Sequence, residues 1–247
     1  MITADFFRQL YESTGWNFPI FYNDWLAKKF AAGILLTTEL AIASFAGALI
    51  LGFLCVVARR AEARWPTAIV AVYVEIFRNT PGLAQLYFLF FGLGSWLGLS
   101  TGGADGVPSA VSPLAFVVVS LAFHHGAFVA EALRGSVDGV PRGIVESAAA
   151  LGYGRWQAFG RILLPLAFRS ALPALGNVAA QIVKGTALAY AIAVPETLYV
   201  THEIWSEEFN VVEMMNVVLV VYLALMVVVT GVFRLLEAWL RVPGYGR

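Results

Sequence analysis

The chain has 247 residues; 60% are hydrophobic, only 13% are charged, and the mean hydropathy is +0.76. A soluble domain carries about 25% charged residues, and a soluble globule this poor in charge would expose large apolar patches, so the composition points to an integral membrane protein. Sixteen basic and sixteen acidic residues balance to zero, which excludes a nucleic-acid footprint, and the single cysteine, Cys55, excludes disulfide frameworks and Cys-based zinc sites.

Residues 1–30 are rich in aromatics, among them Phe6, Phe7, Tyr11, Trp16, Phe18, Phe21, Tyr22 and Trp25. Aromatic rings favour the membrane–water boundary, so this segment reads as an extracytoplasmic, interfacial helix, with a disordered tail as the alternative. Apolar stretches long enough to cross about 30 Å of hydrocarbon as helices fall at residues 31–58, 68–99, 113–133, 172–194 and 214–236. The first is too long for the apolar part of a cleavable signal. In the second, Pro66 to Val74 reads as the lower part of the span or as an interfacial lead-in. Runs such as Val117-Val118-Val119 do not alternate, so helices are expected rather than β-barrel strands. The expected fold is all-α, with five transmembrane helices.

Basic residues accumulate in cytoplasmic loops. Arg59, Arg60 and Arg64 follow the first span, Arg134, Arg142, Arg155, Arg161 and Arg169 cluster around the connection after the third, and Arg234, Arg241 and Arg247 lie at the carboxyl end. The loops after the second and fourth spans hold no basic residue, and Lys28 and Lys29 break the alternation. The amino end is therefore expected outside and the tail, 241–247, in the cytoplasm. Glu196, Glu203, Glu207, Glu208 and Glu213 gather between the last two spans, as a solvated loop or as a docking surface for an external partner.

The connection between the third and fourth spans is long. Within residues 138–166, Pro141 suits a first helical turn, Ala148-Ala149-Ala150 favour helix and Gly152 suits a helix end. A short helix ending near Gly152 is expected, and a second helical stretch, Arg155 to Leu164, before Pro165.

Glu146-Ser147-Ala148, Gly152, Ile162 and Leu164-Pro165 stand at the spacing of the EAA loop, so the segment resembles the coupling element of ABC importer permeases, with Ser147 for the middle alanine. Glu75-Ile76-Phe77-Arg78-Asn79-Thr80-Pro81, Glu131-Ala132-Leu133-Arg134-Gly135, and Lys184-Gly185-Thr186-Ala187-Leu188 after Leu172-Pro173-Ala174-Leu175-Gly176-Asn177 are similar to signatures of polar amino acid permeases. Gly185 and Ala187 replace an aspartate and a serine usual there. Arg241-Val242-Pro243-Gly244 resembles the glutamate/aspartate type.

The resemblance implies a type I importer permease domain over residues 31–240 in a bacterial inner membrane. It implies a second permease subunit, identical or homologous, two ATP-binding subunits and an extracytoplasmic substrate-binding protein that delivers a polar amino acid. Glu146, Ser147, Ala148, Leu151, Gly152, Ile162, Leu164 and Pro165 would couple to the ATPase. The chain would carry no cofactor of its own, ATP and magnesium residing on the ATPase, and no G-x-x-x-x-G-K-[ST] motif occurs in it.

Charges inside a span face a cavity or a partner. Glu39 either lines the pathway or pairs with another helix. Lys184 meets a substrate carboxylate or serves a subunit interface, and Asn177 and Gln181, four apart, share a helix face and can bond substrate or another helix. Glu75 with Arg78, and Glu131 with Arg134, are helical neighbours, read as ion pairs at the cytoplasmic boundary. Two rivals are an ion-coupled transporter, which would not need the long connection, and a membrane-embedded enzyme, which would need a spaced metal or nucleophile set. His124, His125 and His202 supply no such set.

Overall fold

The computed structural model describes residues 2–61, 63–99 and 111–240; the loop after the second span, in large part, and the tail with Arg241-Val242-Pro243-Gly244 lie outside them. Among the described residues ten α-helices follow in chain order: α1 (Ile2–Thr14), α2 (Asp24–Arg60), α3 (Arg64–Asn79), α4 (Gly82–Tyr87), α5 (Pro113–Asp138), α6 (Arg142–Ala150), α7 (Arg155–Ala158), α8 (Leu164–Gly185), α9 (Thr197–Glu208) and α10 (Val211–Trp239). No strand occurs among the described residues. Among the described residues four helical runs are long and apolar enough to cross a membrane: Asp24–Arg60, Pro113–Asp138, Arg155–Ile192 and Val211–Trp239, with a shorter apolar helix at Gly82–Gly94.

Local chemistry explains the boundaries. Asn23 Oδ1 accepts from the Trp25 and Leu26 amides at 3.1 and 3.3 Å, capping α2, whose last turn holds Arg59 and Arg60 against the negative dipole end. The stretch expected as a single second span is divided. Pro81 disfavours helical geometry at the residue before it; Thr80 is extended (φ −112°, ψ 143°), so α3 stops at Asn79 and α4 starts afresh at Gly82. A π-helical turn, Phe88–Gly94, continues α4.

Pro165 does not end a helix, contrary to expectation. A π-helical turn at Phe159–Leu163 links α7 to α8. Its wider i→i+5 bonding relieves the clash of a proline ring with the carbonyl four residues earlier, so the run passes through Pro165.

The chain divides into two compact units. The first comprises Met1–Ser44, Gly82–Leu121 and Ile182–Val227. One of its cores joins Leu40 of α2, Leu86 of α4 and Val117 and Leu121 of α5 to Ala189, Ile192 and Val194. Another packs Ile20, Leu26 and Phe30 on Val200, Ile204 and Met214. Asn17 anchors the amino-terminal segment here. Its amide donates to Glu213 Oε1 (3.2 Å), its Nδ2 to Glu208 Oε2 (3.5 Å), and its carbonyl accepts from Asn210 Nδ2 (3.0 Å). Phe7 stacks on Phe21 at 4.3 Å.

The second unit comprises Phe45–Pro81, Ala122–Gln181 and Val228–Arg247. Cys55 of α2, Val70 and Val74 of α3, and Ala127 and Ala130 of α5 form its core. Glycines allow α2 and α5 to pack tightly. A Cβ on Gly47 would lie 2.8 Å from Ala122 Cβ, and one on Gly52 would overlap Val129 and stand 2.9 Å from the Ala130 amide.

Candidate functional site

The connection between α5 and α8 presents a short, sharply ended helix. Pro141 stands at the N-cap of α6. At the other end the Tyr153 amide donates to the Ala148 carbonyl (3.0 Å) and the Gly152 amide to the Ala149 carbonyl (2.9 Å). This paired closure needs a left-handed residue, and Gly152 supplies it at φ +80°. Glu146, Ser147 and Gly152 are exposed, and Leu151 is 77% exposed, an uncovered apolar side chain at the end of α6.

Ala148, expected to couple to the ATPase, lies against its own chain. It is 1% exposed, on the side of α6 that rests on its own chain, where a methyl group permits close approach. Ile162 and Leu164 are half-buried and Pro165 exposed; they belong to the helical stem behind α6. Arg155 Nη2 donates to the Arg60 carbonyl at 2.6 Å, fastening α7 to the end of α2.

Glu131 of α5 is a hub. It takes Arg134 at 2.9 Å and Arg59 of α2 at 3.3 Å, and Arg134 also holds Asp138 at 2.8 Å. The expected Glu131–Arg134 pair is thus present, with Arg59 added. The expected Glu75–Arg78 pair is not formed: Glu75 Oε1 accepts from Asn79 Nδ2 at 2.8 Å, while the Arg78 guanidinium lies 5.3 Å from the Phe128 ring centroid. An amide one turn on competes well for the carboxylate, and an aromatic face satisfies the cation.

Asn177, Gln181 and Lys184 of α8 are all exposed, and their spacing of four and three puts them on one helical face. Glu39 of α2 is exposed too. A polar stripe on an apolar spanning helix needs water, substrate or another chain beside it.

Glu196 departs from the expected solvated loop or docking surface. It has no exposed surface. Its Oε1 accepts from the Tyr199 amide and its Oε2 from the Leu198 amide, each at 2.9 Å, which caps α9. Oε2 also accepts from the Tyr222 hydroxyl (2.9 Å) and the Thr37 hydroxyl (3.4 Å). Burial pushes this carboxyl above the ordinary carboxylate range, against those four donors. Glu203 pairs with Lys29 at 3.3 Å, and Glu208 and Glu213 bind Asn17. The acidic group therefore serves mainly to tie its own chain together.

Comparisons with known proteins agree with this architecture. A family model described as binding-protein-dependent transport system inner membrane component matches residues 44–242. The glutamine transport system permease protein GlnP of Escherichia coli (strain K12) is 30% identical over 215 residues, covering 85% of this chain and 92% of the relative. The histidine/lysine/arginine/ornithine transport system permease protein HisQ of the same strain is 31% identical over 205 residues, covering 83% and 90%. Among solved structures, one described as an amino acid ABC transporter with histidines superposes with a TM-score of 0.76 at 22% identity, covering 86% of this chain and 94% of that one. The inward-facing MetNI methionine ABC transporter gives 0.65 at 20% identity, over 88% and 96%. The chain belongs to the inner membrane components of binding-protein-dependent transport systems, the permease family of ABC importers.

Proposed function

We propose that this chain is the permease subunit of an ATP-driven importer of polar amino acids, that it forms half of the translocation pathway, and that α6 is the lever through which an ATPase moves it. The carrying observation is α6 itself: a nine-residue helix closed by Gly152, exposing Glu146, Ser147 and Leu151 at its surface. A small rigid protrusion fits a groove in a partner and transmits that partner's closure to attached helices. The proposed orientation puts α6 and the carboxyl end in the cytoplasm, with α1 and the α9 region outside. Exposed Asn177 and Gln181 of the second unit are pathway residues, as are Glu39 and Lys184 of the first, and a second permease subunit completes the pathway. ATP is hydrolysed on two partner subunits, and an external binding protein delivers the substrate. The carried class follows the relatives that transport glutamine, histidine, lysine and arginine.

The test is ATP-dependent amino acid uptake in vesicles supplied with the binding protein, together with copurification of the ATPase. Leu151→Asp adds a charge at an exposed tip without removing packing. It should insert normally, lose the ATPase and abolish uptake. Wild-type uptake from that variant overturns the lever.

A further inference from the structure

Within the second unit, a cavity of about 110 Å³ opens between Arg59 and Arg60 of α2, Arg134 and Asp138 of α5, and Phe159. Its chemistry is unbalanced. Three guanidinium groups meet two carboxylates, Glu131 and Asp138, and both carboxylates are held by Arg134, with Arg59 sharing Glu131. Arg60 has no carboxylate partner among the described residues; its guanidinium lies 5.7 Å from the Phe159 ring centroid. The Nε atoms of Arg59 and Arg60 are both buried with no acceptor. Buried donors without acceptors are costly, so the cavity presents unused N–H groups and an excess of positive charge.

A groove of about 490 Å³ is built partly on the same helices, α2 and α5, lined by Leu49, Phe53, Leu133, Leu164 and Phe168 among wholly apolar side chains. The two are neighbours along the same helices. Phe53 of the groove precedes Val56 of the cavity by one turn of α2, and Leu133 precedes Arg134 on α5. Ile50, Phe53, Leu54 and Phe168 along the groove are exposed.

We propose that groove and cavity together seat one anionic phospholipid, its phosphodiester on Arg60 and Arg59 and one acyl chain along Phe53 and Phe168. A phosphodiester brings one negative charge and only acceptor oxygens, the complement of planar guanidinium donors. Basic pockets between membrane helices are suited to such headgroups. A zwitterionic headgroup would carry an ammonium towards the same arginines, so a lipid of the phosphatidylglycerol class is preferred. Free phosphate fits the cavity but leaves the groove bare. The site needs only that the chain lies in a membrane, whichever leaflet holds Arg60.

Native mass spectrometry of the delipidated full-length chain in mild detergent tests this, with phosphatidylglycerol, phosphatidylcholine of the same acyl chains, and inorganic phosphate as probes. One phosphatidylglycerol should be retained in preference to phosphatidylcholine. Arg60→Gln should lower its retention by about tenfold, the loss of one charge-assisted hydrogen bond, while phosphatidylcholine retention and helix content stay as in the wild type. Ile50→Trp, which fills the groove, should lower it as well. Arg234→Gln, a basic residue outside the cavity, should not. Unchanged retention in Arg60→Gln, equal loss in Arg234→Gln, or displacement of the lipid by equimolar phosphate overturns the proposal. So does Ile50→Trp that keeps the lipid but loses self-association, which assigns the groove to a second copy.

Discussion

The Tyr222 hydroxyl donates to Glu196 Oε2 at 2.9 Å, tying α10 to the first turn of α9 at a carboxylate with no exposed surface. Thr37 brings α2 to the same group, its hydroxyl also accepting from the Thr197 amide at 3.0 Å. Removing the carboxylate would cost a helix cap and take from the half-buried Tyr222 hydroxyl its acceptor at 2.9 Å, while Thr37 keeps the Thr197 hydroxyl at 2.7 Å. Glu196→Ala should therefore destabilise by about 3–5 kcal/mol. Tyr222→Phe removes one donor and leaves Oε2 two others, so about 1–2 kcal/mol is expected. Thermal unfolding of the purified chain should rank Glu196→Ala well below Tyr222→Phe, with both below wild type. Equal midpoints for Glu196→Ala and wild type would show that the capping network carries no stability.

The same group sets a pH dependence. Burial raises the Glu196 carboxyl in the folded chain, and the hydrogen bonds from Leu198, Tyr199, Tyr222 and Thr37 only partly oppose it. A raised folded value means that the folded state binds the proton more tightly than the unfolded state. Its contribution is complete below the ordinary carboxylate value of about 4.3 and is lost as pH rises through the raised folded value. Glu196→Gln cannot titrate. The midpoint difference between wild type and Glu196→Gln should be flat below about pH 4.3 and shift in favour of the variant above it. A shift in favour of wild type would mean that the four donors outweigh burial.

The lever and the network differ in how far they were legible in the sequence. α6 is a local object. Pro141, the alanine run and the left-handed Gly152 act within a few residues, and the helix expected near Gly152 is present. Ala148 shows the limit even there, because its burial depends on what α6 rests against. Glu196 was unreadable for a stronger reason. Its neighbours Val194, Pro195, Leu198 and Tyr199 are mostly apolar, but its burial is imposed by Thr37 and Tyr222 from two other helices. Pro165 reads as a helix end because a proline normally stops a helix, and the π-helical turn that accommodates it leaves no composition signal. Glu75 had two partners within reach, and the i+4 amide of Asn79 won over the i+3 guanidinium of Arg78. Such short-range contests turn on rotamers that spacing does not specify.

Gly152 carries its role by conformation rather than by space. A Cβ there would meet nothing within 4 Å, yet φ is +80°. A β-branched residue in the left-handed region costs about 1–2 kcal/mol or more, whereas asparagine visits it readily. Gly152→Asn should keep ATPase copurification near wild type, and Gly152→Val should lose most of it. Equal loss in both would mean that the bare surface at Gly152, not its geometry, is what the partner requires.

The close packing of α2 on α5 makes the opposite prediction about space. A methyl group on Gly52 overlaps Val129, so Gly52→Ala should destabilise by about 1–3 kcal/mol as overpacking does. Gly231 of α10 has open space around it, and Gly231→Ala should gain about 0.5–1 kcal/mol from helix propensity. Thermal midpoints in one detergent give the comparison. A neutral Gly52→Ala would mean that the two helices separate without cost.

The amino-terminal segment hangs on Asn17. Asn210 is 2% exposed, and its Nδ2 donates to the Asn17 carbonyl at 3.0 Å. Glu213 and Glu208 complete the clamp by accepting from the Asn17 amide and side chain. Asn210→Ala leaves that carbonyl without its side-chain donor, a loss of about 1–2 kcal/mol in local stability. Because segments near a terminus open independently of the core, the effect should appear as faster limited proteolysis between Thr14 and Asn23 with little change in the global midpoint. A proteolysis rate equal to wild type would mean that the aromatic contact of Phe7 with Phe21 suffices to hold the segment.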